Sequence, residues 1–214
     1  MRALFVANGA LTGWERIPSD RLGSELVIAV DGGWHHCQTL VLTPAAVIGD
    51  FDSLPDTVIN HLQGSATRLI QHTPNKAEID LELALIYALE QGAIEMTILA
   101  GLGGRFDMSM ANISLMLHPR LRDVSIEFWH LGQRIWRIQP PGDEITGEAG
   151  DTLSLLPLGG DVYGIRTTNL AYPLENENLQ MGRARGVSNF LTADTAAVTF
   201  ESGALLAVWT HGRA

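Results

Sequence analysis

The chain has 214 residues, 46% of them hydrophobic and 18% charged, enough to bury one large core or two small ones. Its formal net charge of −10 argues against a nucleic-acid or membrane-surface partner, since both reward clustered Lys and Arg. Cys37 is the single cysteine, which excludes an internal disulfide and any multi-cysteine zinc or iron–sulfur site. The apolar run over residues 1–7 is too short for a signal-peptide core and is broken by Asn8-Gly9. No stretch reaches membrane-spanning length, and the expected location is the cytoplasm.

In chain order, short apolar runs predict strands over residues 3–6, 26–30, 45–48, 68–70, 96–100 and 125–129. Helical patterns fall between most of them, near 34–40, 55–62, 78–90 and 107–117. Such alternation implies βαβ units and a parallel sheet covered on both faces. The texture changes at Gln139-Pro140-Pro141-Gly142-Asp143. Beyond it, turn residues punctuate strand-like runs at 152–156, 162–167, 196–200 and 205–209, the pattern of a small antiparallel sandwich or barrel. Two domains are expected, residues 1–138 and 139–214.

Ligands of open parallel sheets bind outside the carboxyl ends of the strands. Three loops at such ends combine acid with glycine: Asp31-Gly32-Gly33, Gly49-Asp50-Phe51-Asp52-Ser53, and the run from Gly101 to Asp107. In extended backbone Asp50 and Asp52 would point to the same side, where they could share a hard divalent cation. A strand-ending turn accounts for the same residues without a ligand. Gly103 and Gly104 would let backbone N–H groups approach an anion at a helix start, and Arg105 could clamp phosphate. This loop has neither the Gly-Lys-Ser/Thr ending of a P-loop nor Rossmann spacing. Asp80 and Asp107, each in the first turn of a predicted helix, are either dipole partners or ligands, and Lys76 either faces solvent or neutralises phosphate. The histidines are scattered without ligand spacing, and there is no Gly-x-Ser-x-Gly elbow. Carboxylate-bound Mg²⁺, a glycine cradle and a cationic clamp together point to a nucleoside triphosphate, where positioning and charge neutralisation supply most of the catalysis.

Taken in order with Asp80-Leu81-Glu82-Leu83-Ala84-Leu85, Asn112, Tyr172-Pro173-Leu174 and Gly186-Val187-Ser188-Asn189, these motifs resemble the thiamine pyrophosphokinase family over nearly the whole chain. The resemblance implies an α/β nucleotide-binding domain followed by a β-sandwich, in a homodimer with active sites between subunits. It implies transfer of diphosphate from ATP to the hydroxyethyl group of thiamine, giving thiamine diphosphate and AMP. It further implies that Asp50, Asp52 and Asp80 hold Mg²⁺, with Asp107 a fourth catalytic candidate. Asp31, Gly32, Gly33, Lys76, Gly103, Gly104 and Arg105 would belong to the nucleotide site, and Tyr172, Ser188 and Asn189 would lie near thiamine. The chain departs from the family pattern at Ala77, Ile79, Met108, Asn169 and Phe190. Two alternatives stand beside this reading: a pyrophosphokinase acting on another primary alcohol such as a hydroxymethylpterin, and a non-catalytic nucleotide- or thiamine-diphosphate-binding regulator.

Overall fold

The computed structural model describes residues 1–73, 75 and 77–213. They form two compact units, Met1–Leu131 and Gly132–Ala214. In the first unit, strands β1 (Arg2–Val6), β2 (Leu26–Val30), β3 (Ala46–Gly49), β4 (Arg68–Gln71), β5 (Glu95–Leu99) and β6 (Ser125–His130) are all parallel. Their order is β6-β5-β1-β2-β3-β4. The inner strands read as continuous apolar runs because helices cover both faces of such a sheet.

Helix α1 (Ser19–Leu22) is one turn without an apolar period and was not expected from sequence; Arg21 holds it to the buried Glu127 at 2.9 Å. Helices α2 (Gly33–Thr39), α3 (Asp56–Gln63), α4 (Asp80–Glu90) and α5 (Phe106–Ser114) follow the predicted periods. α4 buries Leu81, Ala84, Leu85 and Ala88, one face at helical spacing. It starts at Asp80 rather than at residue 78, because Ile79 is extended (ψ 156°) and serves as the N-cap. α5 stops at Ser114, and the rest of its predicted span is a 3₁₀ turn, Leu115–Leu117.

Progress from β1 to β4 runs one way across the sheet, and β5 returns to the other side of β1. The direction therefore reverses between β1 and β5, and the crevice outside their carboxyl ends is where an open sheet of this kind takes its ligand.

The second unit contains β7 (Gln133–Ile138), β8 (Gly142–Thr146), β9 (Thr152–Pro157), β10 (Val162–Thr168), β11 (Glu175–Leu179), β12 (Asn189–Phe190), β13 (Thr195–Thr199) and β14 (Leu205–Thr210). They pair antiparallel in the orders β12-β9-β14-β7 and β11-β10-β13-β8. One apolar cluster, including Trp136, Leu155, Ile165, Val198 and Leu205, draws on both sets of strands. The sequence reading missed β7, β8, β11 and β12. β8 and β11 each bury one residue, Ile145 and Leu179, so their apolar signal is too thin to show a period. Residues 133–138, on the first-domain side of the expected boundary, form β7, which pairs with β14 and lies in the second unit.

A single carboxylate organises one edge of this unit. Asp151 is 1% exposed. It accepts hydrogen bonds from the backbone N–H groups of Glu148 (2.8 Å) and Gly212 (2.7 Å) and from Trp209 Nε1 (3.1 Å), with His211 Nδ1 at 3.1 Å. Burial works against its charge, but these bonds and the His211 ring hold the carboxyl below the usual range.

Candidate active site

The carboxyl ends of β2, β3 and β5 are followed by residues in a conformation that side chains normally avoid. Asp31 (φ 49°), Phe51 (φ 68°) and Ala100 (φ 52°) are all left-handed, at a cost of about 1 kcal/mol each. Phe51 is 6% exposed, so its ring anchors the turn while Asp50 and Asp52 flank it. Strand alternation therefore does not bring the pair together, contrary to the extended-backbone expectation. A turn does: β3 ends at Gly49, and the Asp52 N–H donates to Asp50 Oδ1 at 3.1 Å.

Asp31 joins that pair from the neighbouring strand. The three carboxylates offer oxygens within 4.8 Å of one another. Gly49 leaves the space for this, since a Cβ there would lie 2.9 Å from Asp31 Cβ. Ser53 Oγ donates to Asp31 Oδ2 at 2.6 Å, while Asp31 Oδ1 is buried without a partner among the described residues. The like charge of Asp50 raises the Asp52 carboxyl above its ordinary range, with partial desolvation and the charges of Asp31 and Asp80 adding to it. Such a cluster is repulsive until a cation joins it, and three converging carboxylate oxygens match the hard-oxygen preference of Mg²⁺. Asp80, at the start of α4, acts on Asp52 through its charge but is not in the three-way group.

A cavity of about 530 Å³ lies beside this cluster at the β1/β5 switch point. The loops after β1, β2, β3 and β5 and the start of α4 line it, bringing Asp31, Asp50, Asp80, Gly103, Gly104 and Arg105 to one space. Gly32 and Gly33 are not on its wall, although the sequence reading placed them in the nucleotide site. A Cβ on Gly33 would sit 1.9 Å from Val6 O, so glycine there lets α2 approach β1. Lys76, also expected here, lies outside the described residues.

The glycine loop is braced from behind. Gly103 (φ 86°) donates its N–H to Ser109 Oγ at 3.0 Å, so this donor is already used, while Gly104 (φ 72°) is exposed. His130 packs against Gly103, and burial pushes its imidazole below the usual range. Arg105 and Asp107 are exposed and form a two-bond pair at 3.1 and 2.5 Å. That pairing, with the Met108 N–H, holds the Asp107 carboxyl below its ordinary range.

In the second unit, Tyr172, Ser188 and Asn189 are also brought together, but not as three free groups. Asn189 is 7% exposed, and its amide closes around Tyr172: Oδ1 accepts from Tyr172 N (3.0 Å) and Nδ2 donates to Tyr172 O (2.7 Å). Tyr172 is 68% exposed, and its ring meets Phe190 edge-on with centroids 6.1 Å apart. Ser188 is exposed and left-handed (φ 58°). The sequence reading missed Asn8, Gly9 and Glu78 on the cavity wall. Asn8-Gly9 had a signal, since it follows β1 as the acidic loops follow β2 and β3, but it carries no charge.

Two family models cover most of the chain. The catalytic domain of thiamin pyrophosphokinase matches residues 22–128, and the vitamin B1 binding domain of thiamin pyrophosphokinase matches residues 138–205. The chain belongs to the thiamine pyrophosphokinase family. Catalysis of diphosphate transfer is the function of that family, and its members are enzymes. The thiamine pyrophosphokinase of Bacillus subtilis is 28% identical over 185 residues, 86% of each chain. The crystal structure of a thiamin pyrophosphokinase family protein from Enterococcus faecalis superposes with a TM-score of 0.87 at 26% identity, over all of both chains. That of the Bacillus subtilis enzyme gives 0.85 at 25% identity, over 99% of each. The shared fold is mixed α/β with a large sheet and additional antiparallel strands.

Proposed function

We propose that this chain transfers diphosphate from ATP to the hydroxyethyl group of thiamine in one Mg²⁺-dependent step, giving thiamine diphosphate and AMP. The observation that carries the proposal is the convergence of Asp31, Asp50 and Asp52 beside the switch-point cavity. In this reading the first unit, residues 1–131, is the catalytic ATP-binding domain, and the second unit, which includes β7, is a thiamine-binding β-sandwich. The active form is a cytoplasmic homodimer with sites between subunits.

The thiamine hydroxyl oxygen attacks the β-phosphorus, the bond from that phosphorus to the α,β-bridging oxygen breaks, and AMP leaves with the electron pair. Asp50 and Asp52, with Asp31, would hold Mg²⁺, and Asp80 completes the acidic set from the α4 wall. When bound, the cation neutralises phosphate charge and makes AMP a better leaving group. Arg105 exchanges its pairing with Asp107 for a bidentate grip on phosphate oxygens. The hydroxyl proton passes to a carboxylate of this group, with Asp107 a candidate once Arg105 has moved to the phosphates, because the Arg105 pairing is what lowers its affinity for a proton. Tyr172 offers an exposed ring for an aromatic substrate, Ser188 an exposed hydroxyl, and Asn189 keeps that ring in place.

A competition assay tests the substrate. AMP should form from ATP only when thiamine is present, and chelation of divalent metal should abolish it. Formation of AMP with a hydroxymethylpterin but not thiamine would overturn the assignment, as would tight nucleotide binding without turnover. Light scattering tests the assembly, and a fully active monomer would remove the shared site.

A further inference from the structure

α5 has one buried residue among its described positions, and it is polar. Asn112 is 6% exposed on a helix whose other side chains are partly or fully exposed. Its Nδ2 donates to Gly101 O at 2.6 Å. That bond sets the orientation of the amide, since the flipped form would press two carbonyl oxygens together at the same distance. The oxygen Oδ1 is then left buried with no partner among the described residues, and Asn112 is on the wall of the switch-point cavity.

A buried acceptor without a partner is costly, and sites tend to keep one only where something completes it. Asp31 Oδ1 is in the same condition on the same wall, and the cation proposed for its cluster accounts for it. That explanation does not extend to Asn112, which Gly101 holds at the β5 end of the cavity, with β1 between β5 and the strands β2 and β3 that bear the carboxylates. Phosphate oxygens cannot satisfy it either, because ATP phosphates at neutral pH accept hydrogen bonds and do not donate them. The phosphates are drawn instead toward Arg105 and the carboxylate-held cation.

We infer that Asn112 reads the nucleoside part of the nucleotide, its Oδ1 accepting a hydrogen bond from an N–H or O–H donor there. The donor is the base amino group or a ribose hydroxyl. Asn112 is thus a specificity-determining residue of the ATP site, and this inference rests on the assignment of ATP made above. The Nδ2–Gly101 bond gives it a second effect, since the same side chain joins nucleoside recognition to the glycine loop that leads to Arg105.

The test compares ATP with three analogues that each lack one donor: purine riboside triphosphate, 2′-deoxy-ATP and 3′-deoxy-ATP. With the unaltered protein, kcat/KM should fall about tenfold or more for the analogue that lacks the donor facing Asn112, and which analogue it is identifies the source. Asn112→Ala should lower kcat/KM for ATP to a similar degree and treat that analogue and ATP alike within about twofold. KM for thiamine should stay unchanged in the variant. Indifference of the unaltered protein to all three analogues overturns the inference, and this arm stands even if the variant does not fold. Discrimination by Asn112→Ala as strong as that of the unaltered protein also overturns it, as does a shift confined to thiamine or to the Mg²⁺ requirement. If AMP forms with thiamine but no analogue is discriminated, only this inference fails. If no AMP forms from ATP and thiamine, the functional assignment fails first.

Discussion

The two units each contain a carboxylate centre, and the two are built in opposite ways. Asp151 in the second unit is surrounded by donors, and its charge is held in place by N–H groups of Glu148, Gly212 and Trp209. Asp52 in the first unit faces Asp50, Asp31 and Asp80, like charges that raise its carboxyl rather than lower it. A carboxylate with its bonds satisfied inside the chain serves the fold. One set among other carboxylates at a left-handed turn destabilises its surroundings, a cost that a bound cation would offset.

The contrast is sharpest in a pair of substitutions. Asp52→Asn should lower thiamine-dependent AMP formation by about 100-fold or more at limiting Mg²⁺ while leaving the melting temperature unchanged or higher. Near-normal turnover would remove Asp52 from the metal site, and a marked loss of stability would erase the distinction from Asp151. Arg105→Lys keeps the charge but not the fork, and KM for ATP should rise about tenfold with little change in melting temperature.

Asp151→Asn should do the reverse, destabilising the protein by about 2–4 kcal/mol in denaturant unfolding, because amide hydrogens would then face the N–H groups that the carboxylate now accepts. The sign with pH follows from its lowered folded pKa. The stabilisation is fully present above the unfolded carboxyl value of about 3.9 and is lost as pH falls through the lower folded value. The stability gap between the two proteins should therefore close below about pH 4. A gap that persists at lower pH would show that packing, not charge, carries the effect. The smallest effect is at Cys37, buried and with its thiol pushed up to about 12. A thiol reagent at pH 8 should leave the folded protein unlabelled and react only after unfolding.

Much of this was legible in the sequence because it depends on local pattern. Apolar runs such as 26–30 and the spacing of Leu81, Ala84, Leu85 and Ala88 report burial directly, and strand–helix alternation then implies a parallel sheet. The weak strands β8 and β11 were hidden because each buries one side chain. The grouping of Asp50 with Asp52 was read correctly for the wrong reason, since a left-handed Phe51 rather than strand alternation turns both carboxylates to one point. Asn189 reads as a ligand from its motif, yet its amide is committed to the Tyr172 backbone.

By itself the sequence determined which residue types stand at the strand ends: the acidic glycine loops, the arginine and the family motifs, all set by neighbours in the chain. Only the tertiary structure decided which of them meet. Asp31 joins Asp50 and Asp52 because β2 lies beside β3, and Asn112 borders the cavity because α5 returns over the end of β5. Those meetings depend on strand order and side-chain direction across the sheet, and no local period encodes either.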